Sequence, residues 1–175
     1  NGFSVLARGG GTSQNGQTVN NSIVIDNSKY LNKILEFDPI SRKCVVEPGI
    51  VLDELNRFLK PHGLFFPVDV STSSRATIGG MAGNNSAGGR SIRYGIMRDN
   101  VNSIDVIMSN SELARFGMMP DQTFGLDEVL PELLNLGLNN RTEIERRFPK
   151  VLRRVGGYNL DALIEGTLSQ RPGSN

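Results

Sequence analysis

Two glycine-rich segments constrain this chain more than anything else in it. The first is Arg8-Gly-Gly-Gly-Thr-Ser13 with Gly16-Gln17 behind it, and the second runs from Thr77-Ile-Gly-Gly80 through Gly83-Asn-Asn-Ser-Ala-Gly-Gly89. Clustered glycines let the backbone curl so that successive N–H groups point into one concavity, which makes an anion-binding nest. Thr12 and Ser13 add hydroxyl donors. A single cluster of this kind also reads as an ordinary flexible turn. In the second cluster Thr77 is placed to N-cap a short helix over residues 78–82, with its first amides facing an anion. A structural turn explains one such cluster easily and two less well. Two known phosphate-loop spacings are excluded. No Gly-Lys-Ser/Thr follows either cluster, and no G-x-G-x-x-G can be placed at Gly9 or Gly79, so neither a P-loop nor a Rossmann fingerprint is present.

Around the clusters, short strands alternate with turns. Val5-Leu-Ala7, Ser22-Ile-Val-Ile25, Ile34-Leu-Glu-Phe37 and Lys43-Cys-Val-Val-Glu47 are apolar or β-branched runs that end near Gly, Asp-Asn, Asp-Pro and Pro-Gly. Leu52, Leu55, Phe58 and Leu59 recur at helical spacing until Pro61 and Gly63 stop them. Residues 67–95 form a long irregular stretch of a kind that is usually functional. Ile104-Asp-Val-Ile-Met108 reads as a buried strand, paired with Leu113-Ala-Arg-Phe116 across Ser109-Asn110. The last third is helical. Leu126, Val129, Leu130, Leu133 and Leu134 share a face, and a second helical stretch containing Ile144 and Phe148 is interrupted at Pro149.

Composition removes several function classes. The 175 residues are 38% hydrophobic, enough for a core, and 19 Lys+Arg against 18 Asp+Glu leave a net charge of +1. That balance, with 6% aromatic residues, argues against a nucleic-acid binder. No run is long enough for a transmembrane helix. A single cysteine, Cys44, excludes an internal disulfide framework and a cysteine-ligated metal or iron–sulfur site, and a reducing, cytoplasmic setting fits best. Cys44 itself reads as a small buried apolar residue in a strand. His62, in the helix-ending Pro61-His-Gly turn, reads as structural, because a lone histidine needs a partner to act as a base. Arg146, Arg147, Lys150, Arg153 and Arg154 read as a solvated helix face, with a patch for an acidic partner as the sharper alternative.

In chain order, R-G-G-G-T-S-x-x-G-Q, E-P-G, F-P-V-D, A-T-I-G-G-M-A-G-N-N-S-A-G and R-Y-G-x-x-R-D-N-V resemble the FAD domain of the vanillyl-alcohol oxidase / p-cresol methylhydroxylase family. The likeness is to its branch of FAD-linked D-2-hydroxyacid dehydrogenases and glycolate oxidase flavoprotein subunits. It covers most of residues 6–108 and resumes over residues 148–161. The resemblance implies an α+β, PCMH-type FAD-binding domain of small mixed sheets flanked by helices. It places Gly9, Gly10, Gly11, Thr12 and Ser13 on the pyrophosphate, with Arg8, Gly16 and Gln17 beside it. Pro67, Asp69 and Ser74 would lie along the flavin side, and Thr77, Gly79 and Gly80 on the opposite flank of the diphosphate. Asn84, Ser86 and Gly88 would approach the ribityl chain or ring, Tyr94 and Gly95 would close that loop, and Val101 would stand near the adenine. Arg8 and Arg90 are the nearest positive charges, ligating or solvated. Tyr158 and Asn159 would line the reactive face of the flavin.

The chain also departs from the family pattern. A strand-helix-strand unit that precedes R-G-G-G-T-S in the family, a G-S-E-G-T-L-G segment, and the substrate domain with its histidines and arginine are not in it. Glu165-Gly-Thr-Leu168 imitates the second of these only in part, and reads as a coincidental look-alike. With its start at Asn1-Gly2-Phe3, the chain reads as a fragment incomplete at both ends. The expected division is an FAD-binding core over residues 1–116, a helical insertion and return segment over 117–168, and a flexible tail over 169–175. The stretch from Arg141 to Arg154 resembles the long fused members, which carry iron–sulfur modules downstream. The implied parent oxidises a D-2-hydroxy acid of the D-lactate, glycolate or D-2-hydroxyglutarate class by hydride transfer to flavin. Its partners would be the small-molecule substrate and an electron acceptor or iron–sulfur module, in a cytoplasmic or peripheral inner-membrane setting. A non-enzymatic nucleotide- or anion-binding module is the alternative. Catalytic residues are expected outside this chain, no metal site is expected in it, and the isolated chain is expected to hold FAD weakly.

Overall fold

The structure is a computed structural model that describes residues 3–117, 123–151 and 158–164. By packing, the chain divides into two units, Asn1–Asn100 and Val101–Asn175.

In the first unit β1 (Val5–Arg8) and β2 (Ile23–Asp26) pair in parallel, Val5 opposite Ile23 and Arg8 opposite Asp26. A parallel pair cannot be joined by a tight turn. The first glycine cluster therefore forms the crossover between the two strands. β3 (Ile34–Asp38) and β4 (Lys43–Val46) form an antiparallel hairpin. Its turn is organised by the Asp38 carboxylate, which accepts the N–H groups of Ile40 and Ser41 and the Ser41 hydroxyl. α1 (Leu52–Leu59) follows, with Asp53 and Glu54 in its first turn, where they complement the helix dipole. Leu55 and Leu59 join Ile50 as the buried centre of this unit, against Ile34, Phe37, Cys44, Val46, Leu64, Phe66 and Ile78. The 3-10 turn Lys60–His62 stops the helix at Pro61, and Gly63 leaves it in the left-handed region. α2 (Ile78–Gly83), α3 (Ser91–Tyr94) and the 3-10 turn Met97–Asn100 complete the unit.

His62 packs its ring on Phe37 at 4.7 Å and Phe58 at 6.0 Å between centroids, in keeping with the structural reading. Cys44 is half-buried on β4, and burial pushes its thiol pKa up.

In the second unit β5 (Ser103–Ile107) and β6 (Leu113–Gly117) form the expected hairpin. The expectation of a buried β5 is overturned, since Ile104 is 38% and Ile107 75% exposed. A two-stranded ribbon has no second layer of its own, and of its residues only Ala114 is buried. α4 (Val129–Asn139) and α5 (Arg141–Arg147) meet at Asn140. α5 ends because Phe148 precedes Pro149 and takes an extended backbone. Ile144 and Gly137 face inward, the latter against Leu163 in the 3-10 turn Leu160–Leu163. Arg146 and Arg147 both pair with Glu143, which makes this a solvated, charge-laced face. Arg153, Arg154, the segment of residues 165–168 and the tail of residues 169–175 lie outside the described residues.

Candidate cofactor site

The two glycine clusters, remote in sequence, pack directly on each other. A methyl group on Gly9 would overlap Thr77 Oγ1 and come within 3.5 Å of Gly80 Cα, and one on Gly10 would overlap the Arg75 carbonyl. The backbone of the crossover loop thus lies against the residues that start α2, closer than any residue with a β-carbon could approach.

A ladder of main-chain bonds holds the start of α2 in place. Leu52 N–H donates to the Ala76 carbonyl at 3.0 Å, Ile78 N–H to Ile50 at 2.9 Å and Gly79 N–H to Pro48 at 2.8 Å. Thr77 is buried and is the N-cap of α2, its Oγ1 accepting from Gly80 N–H at 3.4 Å. The cap is as expected, but the anion-facing amides are not. Ile78 and Gly79 spend their N–H groups on the Ile50 and Pro48 carbonyls, because the Glu47-Pro-Gly49 segment runs alongside. The free donors lie on the first cluster instead. The backbone N–H groups of Gly9, Gly10, Gly11, Thr12 and Ser13 have no acceptor among the described residues.

Arg8 stands over this loop. Its guanidinium lies beside Gly11 and its Nη1 is 3.4 Å from Asp26 Oδ2. Asp26 is held below the usual carboxylate range, first by the Ser28 hydroxyl, then by the Ser28 N–H and more weakly by Arg8. Gly16 accepts from Val19 N–H at 2.9 Å in a turn. Gln17 and Ser74 are exposed and make no hydrogen bond among the described residues.

The remaining expected residues gather around residues 84–100. Ser86, Gly88 and Gly95 are buried, Pro67, Asp69 and Tyr94 half-buried, and Asn84 exposed. Ser86 accepts from Met97 N–H at 2.9 Å, and Gly88 N–H donates to Ser91 Oγ at 2.9 Å. Asn100 Nδ2 donates to the Tyr94 and Ile96 carbonyls, which fixes the Tyr94-Gly95 corner. Tyr94 meets Phe65 edge-on at 5.7 Å, and Arg90 lies over Phe65 at 5.5 Å. Val101 belongs to the second unit. An open groove of about 630 Å³ is lined by Lys60, Phe65, Phe66, Asp69 and Arg90 among others, but by none of residues 9–13 or 77–80. This groove is thus separate from the free amides of the first cluster.

A row of unused N–H donors with two hydroxyls beside it suits a diphosphate, which needs many donors and no lysine. A family model described as an FAD binding domain matches residues 1–117. The chain belongs to the FAD-binding domain family. FAD is accordingly its cofactor. The D-2-hydroxyglutarate dehydrogenase of Haemophilus influenzae is 44% identical over 111 residues, 63% of this chain and 11% of that protein. The D-2-hydroxyglutarate dehydrogenase of Escherichia coli is 34% identical over 171 residues, 93% of this chain and 17% of that protein. The chain thus spans less than a fifth of either relative. In structure it is similar to 6-hydroxy-D-nicotine oxidase of Arthrobacter nicotinovorans, with a TM-score of 0.58 at 20% identity over 75% of this chain and 26% of that one. That likeness concerns the fold alone, and it agrees with the α+β, PCMH-type architecture of an FAD-binding domain.

Sequence reasoning missed the supports of the FAD-binding domain: Pro48, Gly49 and the Arg75 carbonyl. Gly49 N–H donates to the Leu31 carbonyl at 2.6 Å, and Glu47 Oε2 accepts from Lys33 N–H at 2.8 Å. The Glu47-Pro48-Gly49 motif was the signal. Among the described residues no helix is long and apolar enough to cross a membrane, and no cluster of metal-ligating side chains occurs.

Proposed function

We propose that this domain holds the FAD diphosphate in an oxidoreductase that oxidises a D-2-hydroxy acid. D-2-hydroxyglutarate is the favoured member of the class, because the E. coli relative so named aligns across 93% of the chain and therefore across both units. The observation that carries the reading is the packing of Gly9 and Gly10 on residues 75–80 beside a row of free amides.

FAD supplies the hydride acceptor for the substrate α-carbon. The chain's own residues bind and orient. The N–H groups of residues 9–13 and the Thr12 and Ser13 hydroxyls hold the diphosphate, with Gly16 and Gln17 at the rim and Arg8 adding positive potential above the loop. Thr77, Gly79 and Gly80 back the cradle. Pro67, Asp69, Ser74, Asn84, Ser86 and Gly88 border the flavin, Tyr94 and Gly95 close that border, and Val101 stands towards the adenine. Residues 1–116 form the FAD-binding core, residues 117–168 a helical insertion and return segment, and residues 169–175 a tail. Acid–base residues, the electron acceptor and any iron–sulfur module belong to the rest of the protein, which works in the cytoplasm or at the periphery of the inner membrane.

Purification of the full-length protein with added FAD, followed by dye reduction with D-2-hydroxyglutarate, D-lactate and glycolate, tests this. The expected outcome is a flavin spectrum and reduction that is fastest with D-2-hydroxyglutarate. A colourless protein overturns the flavin reading, and a yellow one that reduces no dye with any of the three acids overturns the substrate class.

A further inference from the structure

Asp69 and Arg90 stand 21 residues apart in sequence and meet through the main chain. Asp69 Oδ1 accepts the backbone N–H of Arg90 at 2.8 Å. The side-chain contact between them is much looser, with Arg90 Nε 3.8 Å from Asp69 Oδ2, the Arg90 side chain exposed and that of Asp69 partly so. Asp69 also presses on Gly88, where a β-carbon would overlap both its Oδ1 and its carbonyl oxygen. One carboxylate thus touches two points of the loop of residues 84–90, just where that loop turns into α3.

An ionised carboxylate can only accept hydrogen bonds. Set against an anionic cofactor it would repel, whereas set against a main-chain N–H it makes a strong, charge-assisted tether. We propose that Asp69 is a positioning residue which acts through the Arg90 main chain. It staples the Pro67-Val-Asp69 segment to the loop of residues 84–90, so that Asn84, Ser86 and Gly88 are ordered before the cofactor arrives. The cofactor half of this inference rests on the FAD reading above.

The geometry separates the main-chain tether from the ion pair. Arg90 has φ −78°, within reach of proline, but it is the third residue of the turn closed by Ser91 N–H on the Gly88 carbonyl, where proline also strains Gly89. Arg90→Pro deletes the N–H donor but loosens that turn as well, Arg90→Ala deletes only the guanidinium, and Asp69→Ala removes the acceptor without touching the turn. Asp69→Asn keeps an acceptor oxygen at the same place.

Two readouts on the full-length protein test the idea. The first is amide hydrogen exchange over residues 84–90 in the apoprotein, and the second is FAD affinity together with the visible circular dichroism of the bound flavin. Asp69→Ala and Arg90→Pro are expected to speed exchange at least tenfold, to weaken FAD about tenfold or more and to change the dichroism. Arg90→Ala is expected to stay within about threefold of wild type, since an exposed ion pair contributes little, and Asp69→Asn, which keeps an acceptor but loses the charge, is expected to fall between wild type and Asp69→Ala. Unchanged exchange in both damaging variants overturns the staple. Arg90→Ala as harmful as Asp69→Ala overturns the main-chain route. Faster exchange with unaltered FAD affinity overturns the link to the cofactor. If the wild-type protein takes no FAD, the cofactor reading fails, and the exchange arm still decides whether Asp69 orders the loop.

Discussion

At Gly10, a single added methyl group would run into the Arg75 carbonyl, a backbone atom that cannot swing aside. Gly10→Ala must therefore push the crossover loop off residues 75–77. Overpacking of this kind costs about 1–3 kcal/mol. FAD affinity of the full-length protein should fall at least tenfold, read by quenching of flavin fluorescence. Gly83 makes the contrast. A β-carbon there meets nothing within 4 Å, and its φ is not positive. Gly83→Ala should leave FAD binding unchanged and raise stability by about 0.4–1 kcal/mol, through lost freedom of the unfolded chain. Denaturant midpoints of the two variants, moving in opposite directions, check both expectations. Glycine content alone could not rank these positions. Both look alike in sequence, and only the neighbour across the gap separates them.

At the scale of elements, α2 depends on its cap and on the ladder beside it. Thr77→Ala removes the Oγ1 acceptor and should cost about 1 kcal/mol, while Thr77→Ser keeps it. The difference would appear in thermal unfolding of the two variants. The β5–β6 hairpin supplies a pH expectation. Arg115 forms a bidentate pair with Asp105, its register partner, and holds that carboxyl below the usual range, through its hydrogen bonds first and its charge second. A carboxyl lowered in the folded state adds stability above its unfolded pKa and loses it as pH falls through the folded value. The contribution of the pair should thus be whole at neutral pH and vanish in acid. A carboxyl-carbon NMR titration of Asp105 should give a midpoint that rises in Arg115→Ala, and an unmoved midpoint would sink the assignment. These elements were legible in outline because their signals are local: β-branched runs, an Asp-Asn turn, a Thr before a helix and a Pro that stops one. The exposure of β5 was not, since an apolar run announces burial only when another layer is there to cover it.

At the scale of the molecule, the proposed cradle is made of neutral amides, and the nearest guanidinium, Arg8, is already engaged with Asp26. Affinity for FAD should then depend weakly on salt. Raising ionic strength from about 0.05 to 0.5 M should change Kd by less than about threefold, because screening acts mainly on pairs of full charges and less on neutral dipoles in direct contact. A tenfold change would point to Arg8 or another cation as the main diphosphate ligand. By itself the sequence determined the family, the cofactor and the identity of the two clusters, because motif order and backbone permissiveness are written residue by residue. Only the tertiary structure decided which of the clusters' amides are spent on the protein's own carbonyls and which remain free. That choice turns on the Pro48 and Ile50 carbonyls, which fold back onto Gly79 and Ile78, and a hydrogen bond between residues so far apart leaves no local trace in the chain.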